Sequence, residues 1–264
     1  MYNFTYHRAG SVDAAAAKLA ESGDAKLLAG GMTLLPTMKQ RLAQPADVVD
    51  LNEIAGLKGI TVSGGTVTIG AMTRHADVAA SAEVAQAIPA LAHLAGLIGD
   101  PQVRNRGTIG GSIANNDPAA DYPAAVVGLG ATVVTNKREI AGDDFFTGMF
   151  ETALDEGEII TAVRFPVPQK AGYFKFRNPA SRYAVVGVLV AQTAGGVRVA
   201  VTGAGPCVFR QADIERALAG NFSVSALEGI TQDADGLNDD IHASAAYRAN
   251  LVIVGARRAV AEIS

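Results

Sequence analysis

Two glycine pairs carry the residue types and spacing in this chain that can do chemistry. They are Ala29-Gly30-Gly31-Met32-Thr33-Leu34-Leu35-Pro36 and Thr108-Ile109-Gly110-Gly111-Ser112-Ile113-Ala114-Asn115-Asn116. Glycine lacks a Cβ, so main-chain N–H groups can turn toward an anion and approach it closely, and a helix starting behind the loop adds partial positive charge. Neither loop contains lysine, neither reads G-x-G-x-x-G, and no lysine follows as a P-loop demands. What remains is uncharged amides and the hydroxyls of Thr33, Thr108 and Ser112, a set suited to a diphosphate held by dipoles. Taken singly, each pair reads as a tight turn, because 29 glycines in 264 residues make such pairs common. Taken together, they read as two jaws on the diphosphate of one dinucleotide.

The elements that must position these loops follow from periodicity and punctuation. Ser11 caps a helix over 12–22 that ends at Gly23, and 25–29 reads as a short buried strand. The first glycine pair thus lies between a strand and a helix, with Pro36 in the first helical turn and 39–42 continuing it. Residues 47–51 form a second strand and complete a small α/β unit over 1–55. Gly64-Gly65 between 60–63 and 66–69 is a hairpin signal, since both turn residues can take positive φ. It opens a second unit, 56–168, with helices over 76–81 and 82–98 interrupted near Pro89, then the second glycine pair. A helix over 118–128 and strands over 132–135 and 158–165 follow, and Asn115-Asn116-Asp117-Pro118 reads as the start of that helix. Pro166-Val167-Pro168 marks a boundary. In 169–264, strands over 173–176, 184–192 and 197–202 suggest a meander, followed by helices over 211–219 and 243–263.

Other candidate groups point away from acid–base or metal chemistry. His7, His75, His93 and His242 are scattered without ligand spacing and read as surface or packing residues. Cys207 is the single cysteine, which excludes an internal disulfide and any iron–sulfur or zinc site built from several thiolates of this chain. Asp155-Glu156 with Glu158 reads as a solvated turn before a strand rather than a metal site. Arg104 and Arg106 flank the second loop and serve either to steer an anion or partner or to pair with nearby acids. A net charge of −4 leaves no electrostatic case for nucleic acid or an acidic membrane surface. The start shows no apolar core of signal-peptide type and no uncharged run is long enough to cross a bilayer, so the cytoplasm is the expected location.

The loop sequences carry a resemblance. The first, with Arg41-Leu42, Pro45 and Val49-Asp50-Leu51, resembles the first FAD loop of the medium, flavin-carrying subunit of molybdenum hydroxylases. Gln102-Val103-Arg104-Asn105-Arg106-Gly107 leading into the second loop, with Asp117-Pro118-Ala119-Ala120-Asp121, is similar to that family's second loop. The likeness extends through Asp144-Phe145-Phe146, Glu158-Ile159-Ile160, Ala180-Ser181-Arg182-Tyr183-Ala184 and Tyr247-Arg248, and so spans nearly the whole chain. Within the family it is nearest the carbon monoxide dehydrogenase type.

The resemblance implies an α+β fold, with a two-part FAD-binding region of the vanillyl-alcohol oxidase type and a C-terminal domain of antiparallel sheet plus helices. It implies that FAD takes electrons from [2Fe–2S] clusters of a small subunit, while a large molybdopterin subunit oxidises substrate. It further implies a dimer of heterotrimers that can sit at the inner face of the membrane. Carried over residue by residue, the diphosphate falls on Ala29, Gly30, Gly31, Met32, Thr33 and Leu34, with Thr108, Gly111 and Ser112 opposite. Asn115 and Asp117 lie toward the ribityl and adenosine side, Asp121 accepts from a cofactor hydroxyl, and Lys175 and Tyr183 stand around the flavin ring. Met32 departs from the polar residue often found there, which leaves only backbone contacts at that point. No catalytic acid, base, nucleophile or metal ligand is assigned, because the cofactor carries the redox chemistry. Three alternatives stay open: a medium subunit serving an aldehyde or N-heterocycle hydroxylase, a self-contained flavin reductase on the same fold, and a non-enzymatic nucleotide-binding module.

Overall fold

The computed structural model describes all 264 residues. The first stretch is a β-α-β-α-β run: β1 (Thr5–Arg8), α1 (Val12–Glu21), β2 (Ala25–Leu28), α2 (Leu34–Lys39) and β3 (Asp47–Asp50). Its strands form a parallel sheet in the order β1-β3-β2, with Asp47 in register with both Thr5 and Ala25. Ser11 caps α1 by accepting from the Ala14 N–H at 3.1 Å. β1 is a strand that the sequence pattern did not reveal, because it is mostly exposed and lacks alternation. α2 stops at Lys39 rather than continuing to residue 42, and Arg41 turns the chain away with φ +62.

The middle stretch contains β4 (Ile60–Ser63), β5 (Thr66–Gly70), α3 (His75–Ala80), α4 (Ala82–Ala87), α5 (Pro89–Gly96), α6 (Pro101–Arg104), α7 (Ile109–Asn115), α8 (Tyr122–Gly128), β6 (Thr132–Thr135), β7 (Glu139–Ala141), α9 (Gly142–Phe145), β8 (Phe146–Gly148), β9 (Glu151–Thr152) and β10 (Ile160–Pro166). An antiparallel sheet runs β4-β5-β10-β6-β7. Pro89 divides the expected long helix by sitting in the first turn of α5, where its missing N–H costs nothing. The Asn115 to Pro118 segment is a helix exit, not a helix start. Asn116 adopts the left-handed conformation at φ 42, Asp117 Oδ1 accepts from the Ala119 N–H, and α8 begins only at Tyr122.

The last stretch comprises β11 (Lys170–Arg177), β12 (Ala184–Thr193), β13 (Gly196–Thr202), β14 (Phe209–Arg210), α10 (Ala212–Gly220) and α11 (Ala245–Ala261), with an antiparallel sheet in chain order. β12 is buried along Ala184–Ala191 because α11 packs on one face and α8 on the other, which explains its unbroken apolar sequence. Tyr173, Leu189, Ala191 and Ala200 of this sheet join the same apolar core as Leu91, Val126 and Phe165. The architecture is α+β, and no helix is long and apolar enough to cross a membrane.

Glu158 corrects the reading of its segment as a solvated turn. Its carboxylate is buried and accepts from Thr135 Oγ1 (2.7 Å), the Asp155 N–H (2.8 Å) and the Arg138 guanidinium (3.1 Å), tying the β6–β7 turn to β10. The hydrogen bonds from Arg138 are the largest influence and hold this carboxyl down at about 2. A carboxyl whose folded value lies below its unfolded one stabilises above the unfolded value and loses that contribution as pH falls toward the folded one. Because Arg138 is partly exposed and screened, the contribution is on the order of 2 kcal/mol. Denaturant unfolding is therefore expected to show stability declining between pH 4.5 and about 2, and Glu158→Gln to flatten that part of the profile.

Candidate functional site

The two glycine loops meet. Gly30 lies so close to the second loop that a Cβ there would sit 2.0 Å from the Arg106 carbonyl oxygen, and a Cβ on Gly111 would stand 3.4 Å from Ala29 Cβ. Gly31, at φ +73, takes a turn that L side chains rarely adopt. Beside this junction opens a cleft of about 730 Å³, within the range usual for cofactor sites. All fourteen residues singled out from the sequence line it: Ala29, Gly30, Gly31, Met32, Thr33, Leu34, Thr108, Gly111, Ser112, Asn115, Asp117, Asp121, Lys175 and Tyr183.

The loops contribute unequally, which the sequence did not disclose. In the first, the N–H groups of Ala29 through Leu34 donate to no protein acceptor, an unbroken run of six. Unpaired amides in a cleft require an outside acceptor. In the second, the expected free amides are already engaged. Ile109 N–H donates to the Thr73 carbonyl (3.1 Å), Gly110 N–H to that of Ala71 (2.8 Å), Gly111 N–H to Thr108 Oγ1 (3.2 Å) and Ser112 N–H to the Thr108 carbonyl (3.0 Å). Only Thr108 in that run keeps an uncommitted N–H. The second loop thus contributes a surface instead. Thr108, Gly111, Ser112 and Asn115 fall at i, i+3, i+4 and i+7, one face of α7 and its cap, and that face lines the cleft.

The cleft wall also contains a buried ion pair. Lys175 Nζ on β11 donates to Asp121 Oδ2 at 2.8 Å and to the Leu97 carbonyl at 3.0 Å, while the Tyr173 hydroxyl donates to Asp121 Oδ1 at 2.6 Å. Burial pushes the Asp121 carboxyl up, against the downward pull of Lys175. Each oxygen of Asp121 thus already accepts from the protein, and the carboxylate holds Lys175 in place at the cleft. Tyr183 sits at the β11–β12 turn, where Asn178 Oδ1 accepts from the Ala180 and Ser181 N–H groups and Arg182 takes φ +62. Its ring is half exposed, and with Met32 and Phe150 it gives the cleft an apolar rim. Burial, aided by the charges of Asp117 and Asp121, raises its phenol.

The sequence reading missed His75, which lines the cleft and is buried. Burial, with Arg104 adding, lowers its imidazole to about 4. Only a solitary histidine at a helix start marked it in the sequence.

Residues 2–168 match the model of the FAD binding domain in molybdopterin dehydrogenase. The chain belongs to this family. It is 38% identical to the carbon monoxide dehydrogenase medium chain of Hydrogenophaga pseudoflava, over 93% of this chain and 91% of that one. It is equally similar, at 38%, to the nicotine 6-hydroxylase medium subunit of Paenarthrobacter nicotinovorans, over 97% and 96%. The solved structure of the Hydrogenophaga pseudoflava carbon monoxide dehydrogenase lacking the Mo-pyranopterin moiety superposes with a TM-score of 0.89, covering 98% of this chain and 96% of that one. The cofactor of this FAD-binding fold fits the cleft described, because an anion with many acceptor oxygens answers the unpaired amides of Ala29 to Leu34.

Removing Lys175 would leave Asp121 charged and buried without its counter-ion. Lys175→Met is expected to destabilise the chain by about 3–5 kcal/mol in urea unfolding. Adding Asp121→Asn to the same chain is expected to recover much of that loss.

Proposed function

We propose that this chain is the FAD-carrying electron-transfer subunit of a heteromeric molybdenum hydroxylase, carbon monoxide dehydrogenase-like. It would work beside a large molybdopterin subunit and a small subunit with two [2Fe–2S] clusters, in a dimer of heterotrimers. The bound flavin supplies one- and two-electron redox chemistry. The chain's own part is to bind, orient and shield. The amides of Ala29 to Leu34 receive the diphosphate, and the Thr108–Asn115 face, with Gly111 left bare, lets it lie close. Asn115 and Asp117 serve the ribityl and adenosine side, while Lys175, held by Asp121, and Tyr183 are suited to the flavin ring, and all five line the same cleft. The half-exposed rim of Met32, Phe150 and Tyr183 leaves the cleft open to a partner or acceptor. We further assign the three stretches 1–55, 56–168 and 169–264 as the first and second FAD-binding parts and the C-terminal domain.

The observation that carries this reading is the unpaired amide run facing a glycine-bared helix face. Carbon monoxide dehydrogenase and nicotine 6-hydroxylase chains match equally well, which supports a subunit that shuttles electrons while the large subunit selects substrate.

Flavin content tests the assignment. Purified with its partner subunits, the wild-type chain is expected to release FAD on denaturation. In Gly111→Val, branched methyls enter the space beside Thr108 Oγ1 and Ala29 Cβ. That variant is expected to keep its circular dichroism spectrum and lose most of its FAD. Full flavin content in the variant would refute the loop assignment.

A further inference from the structure

His75 is held against the second loop by its main chain, its N–H donating to the Gly107 carbonyl at 3.0 Å. Its ring lies between Gly107 and Tyr122, 5.3 Å from the tyrosine ring centre and tilted by 50°. The two ring nitrogens differ in surroundings. Nδ1 is sealed from solvent and has no hydrogen-bond partner. Nε2 also bonds to no protein group but is not sealed, and the residue forms part of the cleft wall. It is the space beside Gly107 that keeps this nitrogen clear, since a Cβ there would lie 2.5 Å from Nε2.

Burial and Arg104 keep the imidazole neutral at physiological pH, so it carries one N–H. A proton on Nδ1 would be a buried donor without an acceptor, which proteins rarely tolerate, whereas a lone pair there is the smaller cost. The favoured tautomer therefore carries its hydrogen on Nε2, aimed into the cleft. Leucine or phenylalanine would fill the same space without the cost of a sealed polar atom. Nε2 is thus the one nitrogen of this ring open to a partner from outside the protein.

We propose that His75 is a neutral hydrogen-bond donor to the dinucleotide, its Nε2–H meeting an acceptor oxygen or ring nitrogen of bound FAD between the second glycine loop and the Asp121–Lys175 pair. The inference rests on the assignment of this cleft to FAD. His75 is a positioning and binding residue, with no part in moving protons.

The test uses the full chain in its purified complex, stripped of flavin and titrated with FAD by fluorescence quenching, with unfolding temperature measured before and after loading. His75→Leu is expected to weaken FAD binding by about tenfold, the value of one lost hydrogen bond. His75→Gln, whose side-chain amide reaches the place of Nε2, is expected to restore most of the affinity. Should His75→Leu fail to fold, His75→Asn takes its place, since its amide occupies the position of Nδ1 and falls short of the cleft. Glutamine binding as weakly as leucine or asparagine, or leucine or asparagine binding FAD as tightly as wild type, would overturn the proposal. The underlying FAD assignment fails separately, and only if the wild-type complex takes up no FAD or Gly111→Val takes it up unchanged.

Discussion

The fit of the Gly30 backbone against the Arg106 carbonyl is the constraint on which the rest of the site depends. It brings together two loops more than seventy residues apart in the chain, at a distance that no side chain at Gly30 would allow. From that contact the consequences run outward. The second loop must satisfy its own amides inside the fold, through the carbonyls of Ala71 and Thr73 and the hydroxyl of Thr108. Being so anchored, it becomes a rigid wall. The first loop, free of such bonds, keeps its N–H groups for something outside the protein.

A second tie fixes another part of the cleft wall. Lys175 lies on the C-terminal sheet, Asp121 ahead of α8 and Leu97 beyond α5, and one ammonium group reaches both. The shared apolar core behind it, from Leu91 and Val126 to Tyr173 and Leu189, holds the sheet against the helices. A cofactor bound here would therefore touch three stretches of chain without requiring any to be built for it alone. Chains of a carbon monoxide dehydrogenase and of a nicotine 6-hydroxylase resemble this one at the same identity.

Much of this was legible in the sequence, and the parts that were not share a physical cause. The glycine pairs, the Gly64-Gly65 hairpin and the Pro89 break are local signals, readable from neighbouring residues, whereas the shared helix face of Thr108, Gly111, Ser112 and Asn115 emerged only with α7. The unequal roles of the loops were hidden, because the carbonyls that engage Ile109 and Gly110 belong to residues 71 and 73. The bonds that Tyr173 and Lys175 make to Asp121 were hidden too, because these partners lie 52 and 54 residues further along the chain. Asn116 can as readily precede a helix as end one, and only its φ of 42 decides. Glu158 sits in a run of acids that reads as solvated, while Arg138 and Thr135 draw it inside. His75 gave no local pattern at all.

Amide hydrogen exchange of the full chain, with and without FAD, tests the central claim most directly. On FAD loading, the amides of Ala29 to Leu34 are expected to gain strong protection, whereas those of Ile109 to Ser112, already bonded within the fold, should change little. Unchanged exchange across Ala29 to Leu34, or protection gained only at the second loop, would contradict the account.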